Sequence, residues 1–418
     1  MIIADLHIHS RYSRACSQEL LPVRIDEYCR LKGVNLVSTG DFTHPAWLNE
    51  LKDNLEEIGD GFLRLKNSDG KVKFVLGSEV SCIYSQGGKT RRVHLCVFLP
   101  DFASVDRFNQ ELVDHGCNIR SDGRPILGLS AKEVLRILKK VNSRGVMIPA
   151  HIWTPWFAVF GSKSGFDSLE ECFEELAGEI FAIETGLSSD PAMNWRLSQL
   201  DKVSIVSNSD AHSLPNIGRE ANRFDLDLAN TNYDDFFAAI KNKDPKVFLD
   251  TIEFYPEEGM YHIDGHRDCG VSFMPAETNK MKGVCPVCKK PLVVGVLYRV
   301  EELADRPDGF VPQNAVPFVS LVELDKIIAE ALGVKSRAGT KVQAEYHKIV
   351  NSERNEFDIL LNLSYSELEK ITTPEIVEGI KRVREKRVTV VPGFDGQYGH
   401  VNIYNEEEKM ANKQKKLF

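Results

Sequence analysis

Between residues 1 and about 250, short apolar runs repeatedly give way at once to a histidine, an aspartate or a glutamate. Met1-Ile2-Ile3-Ala4 leads into Asp5-Leu6-His7-Ile8-His9, and residues 34–38 lead into Thr39-Gly40-Asp41-Phe42-Thr43-His44. Residues 73–78 end in Glu79, residues 145–150 in His151, and residues 179–183 in Glu184. Residues 203–207 run into Asn208-Ser209-Asp210-Ala211-His212, while the run 92–98 carries His94 in its interior. Helical patterns separate several of these runs. The one at 130–140 opens with Ser130 and, three residues on, Glu133, a capping box. Apolar strands alternating with helices predict a parallel sheet, because parallel neighbours need crossover connections. With about seven strands, each bearing a ligand-type residue, a closed barrel is favoured over an open sheet. In such barrels the loops at one rim converge on a single site.

Residues i and i+2 of an extended chain project to the same side, so His7 and His9 can face one metal ion. The motifs Asp5-Leu6-His7-Ile8-His9, Thr39-Gly40-Asp41, Gly77-Ser78-Glu79, Ala150-His151 and Ser209-Asp210-Ala211-His212 together resemble the PHP (polymerase and histidinol phosphatase) superfamily. The resemblance covers roughly residues 1–250. It implies a distorted (β/α)7 barrel with up to three divalent metals at its rim. Carried over, His7, His9, Glu79 and Asp210 would hold the first metal, and Glu79, His94 and His151 the second. Asp41, His44 and His212 lie where a third would sit. Two departures touch that third site: Phe42 follows Asp41 where the superfamily has histidine, and Arg14-Ala15-Cys16 stands where many relatives have another histidine. Divalent metals sharing the Glu79 carboxylate would acidify water and stabilise charge on phosphate oxygens. Imidazole with carboxylate suits Zn, Mn or Fe better than an all-oxygen Mg cage. Asp190, on a rim loop, is either a proton-transfer group or the N-cap of a helix that begins at Pro191.

At 418 residues the chain is long enough for two or three domains. Its net charge of −9 argues against a protein that coats nucleic acid, though not against a local basic groove. No run approaches 18 apolar residues and Met1 leads straight into a strand, so neither a membrane span nor a signal peptide is expected. The nine cysteines are an odd number and mostly scattered singly, which suits a reducing cytoplasm.

After residue 255 the periodicity stops. His262, His266 and Cys269 are followed by Cys285-Pro286-Val287-Cys288-Lys289-Lys290, a zinc knuckle whose turn aims two thiolates at one ion. Cys269 supplies a third ligand, and His266 or His262 the fourth. The segment has few large apolar residues, so a structural zinc would stand in for a core. This gives three units: a barrel at 1–255, a zinc module at 256–312 and a mainly helical region at 313–418. Basic residues on that last region (Lys381, Arg382, Arg384) and on the barrel (Arg91, Arg92) are candidates for phosphate-backbone contact. Aromatics beside His151 (Trp153, Trp156, Phe157) are candidates for a base pocket, since an inspected base must leave the stack.

Barrel motifs, the His-x-x-Cys…Cys-Pro-x-Cys knuckle and Gly393-Phe394-Asp395-Gly396-Gln397-Tyr398-Gly399 occur in an order that resembles the endonuclease Q family over nearly the whole chain. The resemblance implies a metal-dependent DNA repair endonuclease cutting 5′ to deaminated bases (uracil, hypoxanthine, xanthine) and abasic sites, with Asp210 and Glu79 in the catalytic centre. A phosphatase acting on a small phosphate ester is the rival enzyme reading, and a metal-free nucleic-acid-binding module the non-enzymatic one. The ending Gln414-Lys415-Lys416-Leu417-Phe418 resembles the start of a sliding-clamp-binding peptide.

Overall fold

The computed structural model describes residues 1–351 and 353–409, so the candidate clamp-binding tail at 414–418 lies outside the described residues. Seven strands organise the first half. They are β1 (Ile2–Asp5), β2 (Leu36–Ser38), β3 (Lys73–Gln86), β4 (Lys89–Leu99), β5 (Val146–Pro149), β6 (Ala182–Glu184) and β7 (Ser204–Val206). β1, β2 and β3 pair in parallel, as do β6 and β7. Backbone contacts carry the ring onward: Ile152 N donates to Glu184 O at 3.0 Å, and Ile8 bridges Ala211 in parallel.

The fold class is α/β as expected, but the strand sense is mixed. β4 is antiparallel to both β3 and β5. The cause is local: Gly87 and Gly88, both at positive φ (59° and 73°), close a tight turn between β3 and β4, so no crossover is needed. His94 consequently sits in mid-strand, across the ladder from Ser81, instead of at a strand exit.

The strands are buried on both faces, which is why they read as continuous apolar runs. Ile2, Ala4, Leu36, Val75, Phe98 and Val206 belong to one core cluster, and Ile3, Val37, Phe74, Leu76 and Val97 to the other. At helix ends the sequence signals act as expected. Ser130 accepts from Glu133 N, although the Glu133 side chain turns to Arg136 instead of back to Ser130.

Beyond β7 the sheet grows by Ala221–Phe224 and Phe248–Glu253, both antiparallel to their neighbours, and then by Phe318–Ser320 in parallel. The third segment therefore starts as a strand of the barrel's own sheet. It continues with helices Leu324–Ala331, Thr340–Ile349 and Pro374–Arg384 and a final hairpin of Thr389–Val391 with His400–Asn402. A buried ion pair ties it back, Lys32 Nζ to Glu356 at 2.7 Å. The short middle segment holds the Asp264–His266/Val271–Phe273 hairpin and two helices. Among the described residues no helix is long and apolar enough to cross a membrane.

Candidate active site

His7 and His9 leave β1 on one side, as period two requires. His9 is fixed there by a backbone bond to Ala211 O at 3.0 Å. Three further strand exits bend through left-handed backbone at non-glycine residues: Asp41 (φ 49°), His151 (φ 30°) and Asp210 (φ 46°). Such backbone is costly and persists where the surroundings over-determine it. Beside His151 only glycine fits at 186, because a Cβ there would lie 2.3 Å from the His151 Cβ.

The geometry centres on Glu79, buried at 1% exposure. Its Oε2 faces His9 Nε2 at 3.2 Å and His7 Nε2 at 3.5 Å, while its Oε1 faces His94 Nδ1 at 2.7 Å and His151 Nε2 at 3.1 Å. Asp210 completes the first group, its Oδ1 3.1 Å from His9 Nε2. The ligand atoms of His7, His9, Glu79 and Asp210 lie within 4.8 Å of one another, as do those of Glu79, His94 and His151. One carboxylate thus offers an oxygen to each of two ligand groups.

The donor chemistry fits divalent metals. His7 Nε2 is buried with no hydrogen-bond partner, an atom that needs one. Its Nδ1 pairs with Glu184 at 3.0 Å, so the nitrogen without a hydrogen bond is the one turned to the cluster. Asp41 does the same for His9 Nδ1 at 3.0 Å, and Thr154 Oγ1 pairs with His151 Nδ1 at 2.9 Å. Supports of this kind fix the imidazole tautomer and orientation in metal sites. Burial chiefly, against the pull of Glu79, takes the His94 pKa down to about 4, so the ring is neutral and able to ligate. Burial would raise the Glu79 pKa, yet His94, Arg124 and His7 together hold it well below the usual carboxylate range.

Among the described residues Asp41, His44 and His212 do not bring their ligand atoms together as the first two groups do. Asp41 spends Oδ1 on His9 and Oδ2 on Ser10 N, Ser10 Oγ and Ser13 Oγ. His44 stacks on Tyr12 at 4.5 Å. His212 lies against the His9 ring at 4.5 Å, with Nδ1 3.5 Å from Asp210 Oδ1. Asp41 therefore braces His9 from behind, with three donors on Oδ2 and one on Oδ1.

Asp190 takes the second of its two expected roles. It caps the helix Pro191–Trp195 by accepting from Met193 N at 2.8 Å. Burial raises its pKa to about 6, and its charged neighbours include Glu257, Lys386 and Glu253, none of them a candidate ligand.

The aromatic candidates divide. Trp153 is fully buried, its Nε1 bonded to Asn194 Oδ1 at 2.8 Å, so it packs in the core and presents no face to a base. Trp156 is 36% exposed and meets Tyr261 edge-on. Phe157 leans on the His94 ring at 4.6 Å. Trp156 and Phe157 line a cavity of about 410 Å³ that His94, His151 and Asp210 also border, with Tyr261, His262 and Tyr398 on its other walls.

The basic candidates divide as well. Arg384 donates to three backbone carbonyls, those of Ile359, Leu360 and Leu363, and Arg382 pairs with Glu378 and Glu408. Both are spent on holding the helix in place, and Lys381 lies over the Tyr365 ring. Arg91 and Arg92 line a groove of about 860 Å³ with Lys89 and Lys163. Arg91 stacks on Phe166 at 4.0 Å, and the Arg92 guanidinium stands 5.9 Å from the ring of Phe157.

In the middle segment His266, Cys269, Cys285 and Cys288 bring their ligand atoms within 4.8 Å of one another. His262 stays outside that group.

Sequence reading missed Arg124, whose Nη1 donates to Glu79 Oε2 at 2.9 Å, because it sits in an irregular loop with no periodic signal. It also missed the role of Glu184, which accepts from His7 Nδ1, His151 N and Asn208 Nδ2.

Comparison with known proteins matches two family descriptions: PHP-associated at residues 195–245 and MJ0043 C-terminal domain at residues 323–387. The uncharacterized protein YqxK of Bacillus subtilis is 28% identical over 424 residues, covering 96% of this chain and 99% of that one. The uncharacterized protein MJ0043 of Methanocaldococcus jannaschii is 30% identical over 253 residues, which is 60% of this chain and 31% of that protein. Among solved structures, the lesion-specific endonuclease PfuEndoQ of Pyrococcus furiosus superposes with a TM-score of 0.84 at 29% identity, covering 97% of this chain and 96% of that one. Endonuclease Q in complex with a 27-mer duplex substrate carrying an abasic lesion superposes with a TM-score of 0.84 at 30% identity, over 97% of each chain. The chain belongs to the endonuclease Q family. With that membership it is a metal-dependent endonuclease, a hydrolase. In endonuclease Q terms, the barrel is the PHP-type unit and the helical C-terminal region belongs to the shared fold.

Proposed function

We propose that this endonuclease cuts duplex DNA on the 5′ side of a deaminated base (uracil, hypoxanthine or xanthine) or an abasic site. The observation that carries the reading is the Glu79 carboxylate divided between two ligand groups beside the aromatic cavity. The family member solved on an abasic duplex supports it.

In this reading His7, His9, Glu79 and Asp210 hold one divalent metal, and Glu79, His94 and His151 a second. Metals held there would supply Lewis acidity toward water and the phosphate oxygens, the chemistry that hydrolysis of the bond between phosphorus and O3′ needs. Glu184 and Asp41 keep His7 and His9 in the tautomer that can ligate. Arg124 supplies a fixed positive charge against Glu79. The cavity takes the extruded base, with Trp156 as the stacking face and Phe157 bracing His94. A base lifted from the stack costs a few kcal/mol, and an aromatic face returns about 1–3 kcal/mol of it. Arg91, Arg92, Lys89 and Lys163 give the neighbouring groove the charge to follow the DNA backbone. His266, Cys269, Cys285 and Cys288 hold a structural zinc.

The test is a set of end-labelled duplexes, each with one uracil, hypoxanthine, xanthine or abasic site, incubated with and without Mn²⁺ or Mg²⁺. A single nick 5′ to each lesion, absent from undamaged duplex, is expected. Phosphate release from monoesters without any nick would favour the small-ester phosphatase instead.

A further inference from the structure

A strained turn stands behind the second ligand group. Between β6 and the helix Pro191–Trp195, Ser188 N donates to Gly186 O at 2.7 Å, and Leu187 at the centre of that three-residue turn has φ 59°. A positive φ at the centre is the rare, strained form of such a turn, and leucine lacks the freedom that would relieve it. Gly186 is pressed against His151: a Cβ at 186 would stand 2.3 Å from the His151 Cβ and 2.4 Å from its Cα. His151 is itself strained, at φ 30°. Backbone of this kind persists only where its surroundings over-determine it.

The group that holds the turn is Glu220, which is fully buried. Its Oε2 accepts from Leu187 N at 3.1 Å and its Oε1 from Phe254 N at 3.2 Å, so it ties the turn to the end of the strand Phe248–Glu253. Glu220 closes a tripeptide in which each residue braces a different strand exit. Gly218 N donates to Asp5 Oδ2 at 2.9 Å behind β1, and Arg219 Nε donates to Ser209 O at 2.9 Å behind β7. Burial first, and the neighbouring Glu253 second, raise the Glu220 pKa well above the usual carboxylate range. The folded state thus favours the neutral carboxyl, for which glutamine is the conservative substitute.

We propose that Glu220 is a positioning residue for the second ligand group: by holding Leu187 N it keeps Gly186 against His151, and so keeps His151 Nε2 facing Glu79 Oε1. The assignment rests on the two-metal reading given above and extends it to a residue that acts through Leu187 and Gly186. The first group has four ligands and the second only three, Glu79, His94 and His151. A displaced His151 therefore costs the second group a third of its donors and leaves the first group complete.

The experiment titrates Mn²⁺ into the full chain, with exchangeable metal removed and the cysteine group kept loaded with zinc. Free Mn²⁺ is read from its EPR signal, and nicking of an abasic duplex is followed on the same samples. The enzymes are wild type, Glu220→Leu, Glu220→Gln and Gly186→Ala. Wild type is expected to bind two Mn²⁺ ions. Glu220→Leu and Gly186→Ala should bind the tighter ion as wild type does and the weaker one at least about tenfold less tightly. The Mn²⁺ concentration for half-maximal nicking should rise by the same factor, with kcat at saturating Mn²⁺ within about threefold of wild type. Glu220→Gln keeps a neutral acceptor for Leu187 N and should stay within about threefold of wild type in Mn²⁺ affinity, which holds the test open if the leucine variant folds poorly. A merely structural residue would lower the melting temperature and leave the Mn²⁺ affinity of the folded enzyme unmoved. Unchanged affinity for both ions in folded Glu220→Leu or in Gly186→Ala, or a glutamine variant as weak as the leucine one, would overturn the proposal alone. Wild type that binds fewer than two Mn²⁺ ions overturns the two-metal reading and this inference together.

Discussion

Glu79 and Asp210 face the imidazoles of His7 and His9 across distances of 3.1–3.7 Å, and each of those imidazoles is steered from behind by a carboxylate. Asp210→Asn should lower cleavage at least about a hundredfold while leaving duplex affinity within a few-fold. Glu184→Gln should cost about 10–100-fold, the range for groups that orient a ligand from behind. Single-turnover rates with parallel anisotropy titrations would check both, and wild-type-like turnover in Asp210→Asn would remove it from the metal group. At the cavity, Trp156→Ala should slow uracil cleavage about tenfold, with the abasic substrate little changed, because only the first needs a stacking face. Equal losses on the two substrates would count against stacking.

Asp190 gives a sharper residue-scale test, because its two readings predict opposite results. Burial raises its folded pKa to about 6 from 3.8, so the folded state favours the protonated form. The sign follows from linkage: that contribution is complete below the unfolded pKa and is lost as pH rises from about 4 through 6. Asparagine caps a helix as well as aspartate does and cannot ionise. Asp190→Asn should therefore be more stable than wild type at pH 7.5, by up to about 3 kcal/mol, and indistinguishable near pH 4. Urea unfolding at the two pH values would measure this. Cleavage should be unchanged, and a hundredfold loss would restore Asp190 to a proton-transfer role.

At the scale of elements, the middle segment is a hairpin, two short helices and a cysteine-bearing turn, with a candidate metal group at its centre. Cys285 is fully buried, and its neighbours Met274, Met281 and Val287 are exposed. A metal in the His266–Cys269–Cys285–Cys288 group would therefore provide much of the order. Cys285→Ser should release about one zinc per chain and lower the melting temperature, with no catalytic group removed. Unchanged zinc content in the purified variant would disprove the assignment. The β3–β4 hairpin makes a different point. Two glycines between apolar alternations, as at Gly87-Gly88, are a hairpin signal that the sequence analysis above does not use. The helix–strand rhythm on either side, which favours parallel pairing, masks it.

At the scale of the whole molecule, the C-terminal helical region is held to the barrel by ionic contacts buried from solvent. Glu356, 3% exposed, takes Lys32 Nζ at 2.7 Å, Tyr346 OH at 2.6 Å and Leu324 N at 3.0 Å. Breaking one side of such a pair strands the other charge. Glu356→Gln should cost about 3–5 kcal/mol of unfolding free energy, and Lys32→Met combined with Glu356→Met should recover part of it. Denaturant titration of the single and double variants would decide, and a cost below about 1 kcal/mol would mean the contact carries no such weight.

What the sequence determined by itself is the chemistry offered at each strand exit. His7, His9, Asp41, Glu79, His151 and Asp210 follow apolar runs, and period two puts His7 and His9 on one side whatever the rest of the chain does. The cysteine pair Cys285 and Cys288 is equally local, fixed by a four-residue turn. Tertiary structure decided everything that depends on which residues meet. It set Asp41 against His9 and Ser10, and placed His266, not His262, with the cysteines. It sank Trp153 and left Trp156 at the cavity, spent Arg382 and Arg384 on internal partners, and brought Arg124 to Glu79. The physical reason is that ligand identity is a property of one residue, whereas burial and hydrogen-bond saturation are properties of atoms far apart in the chain and a few ångströms apart in space, as His9 and Asp210 are across some 200 residues.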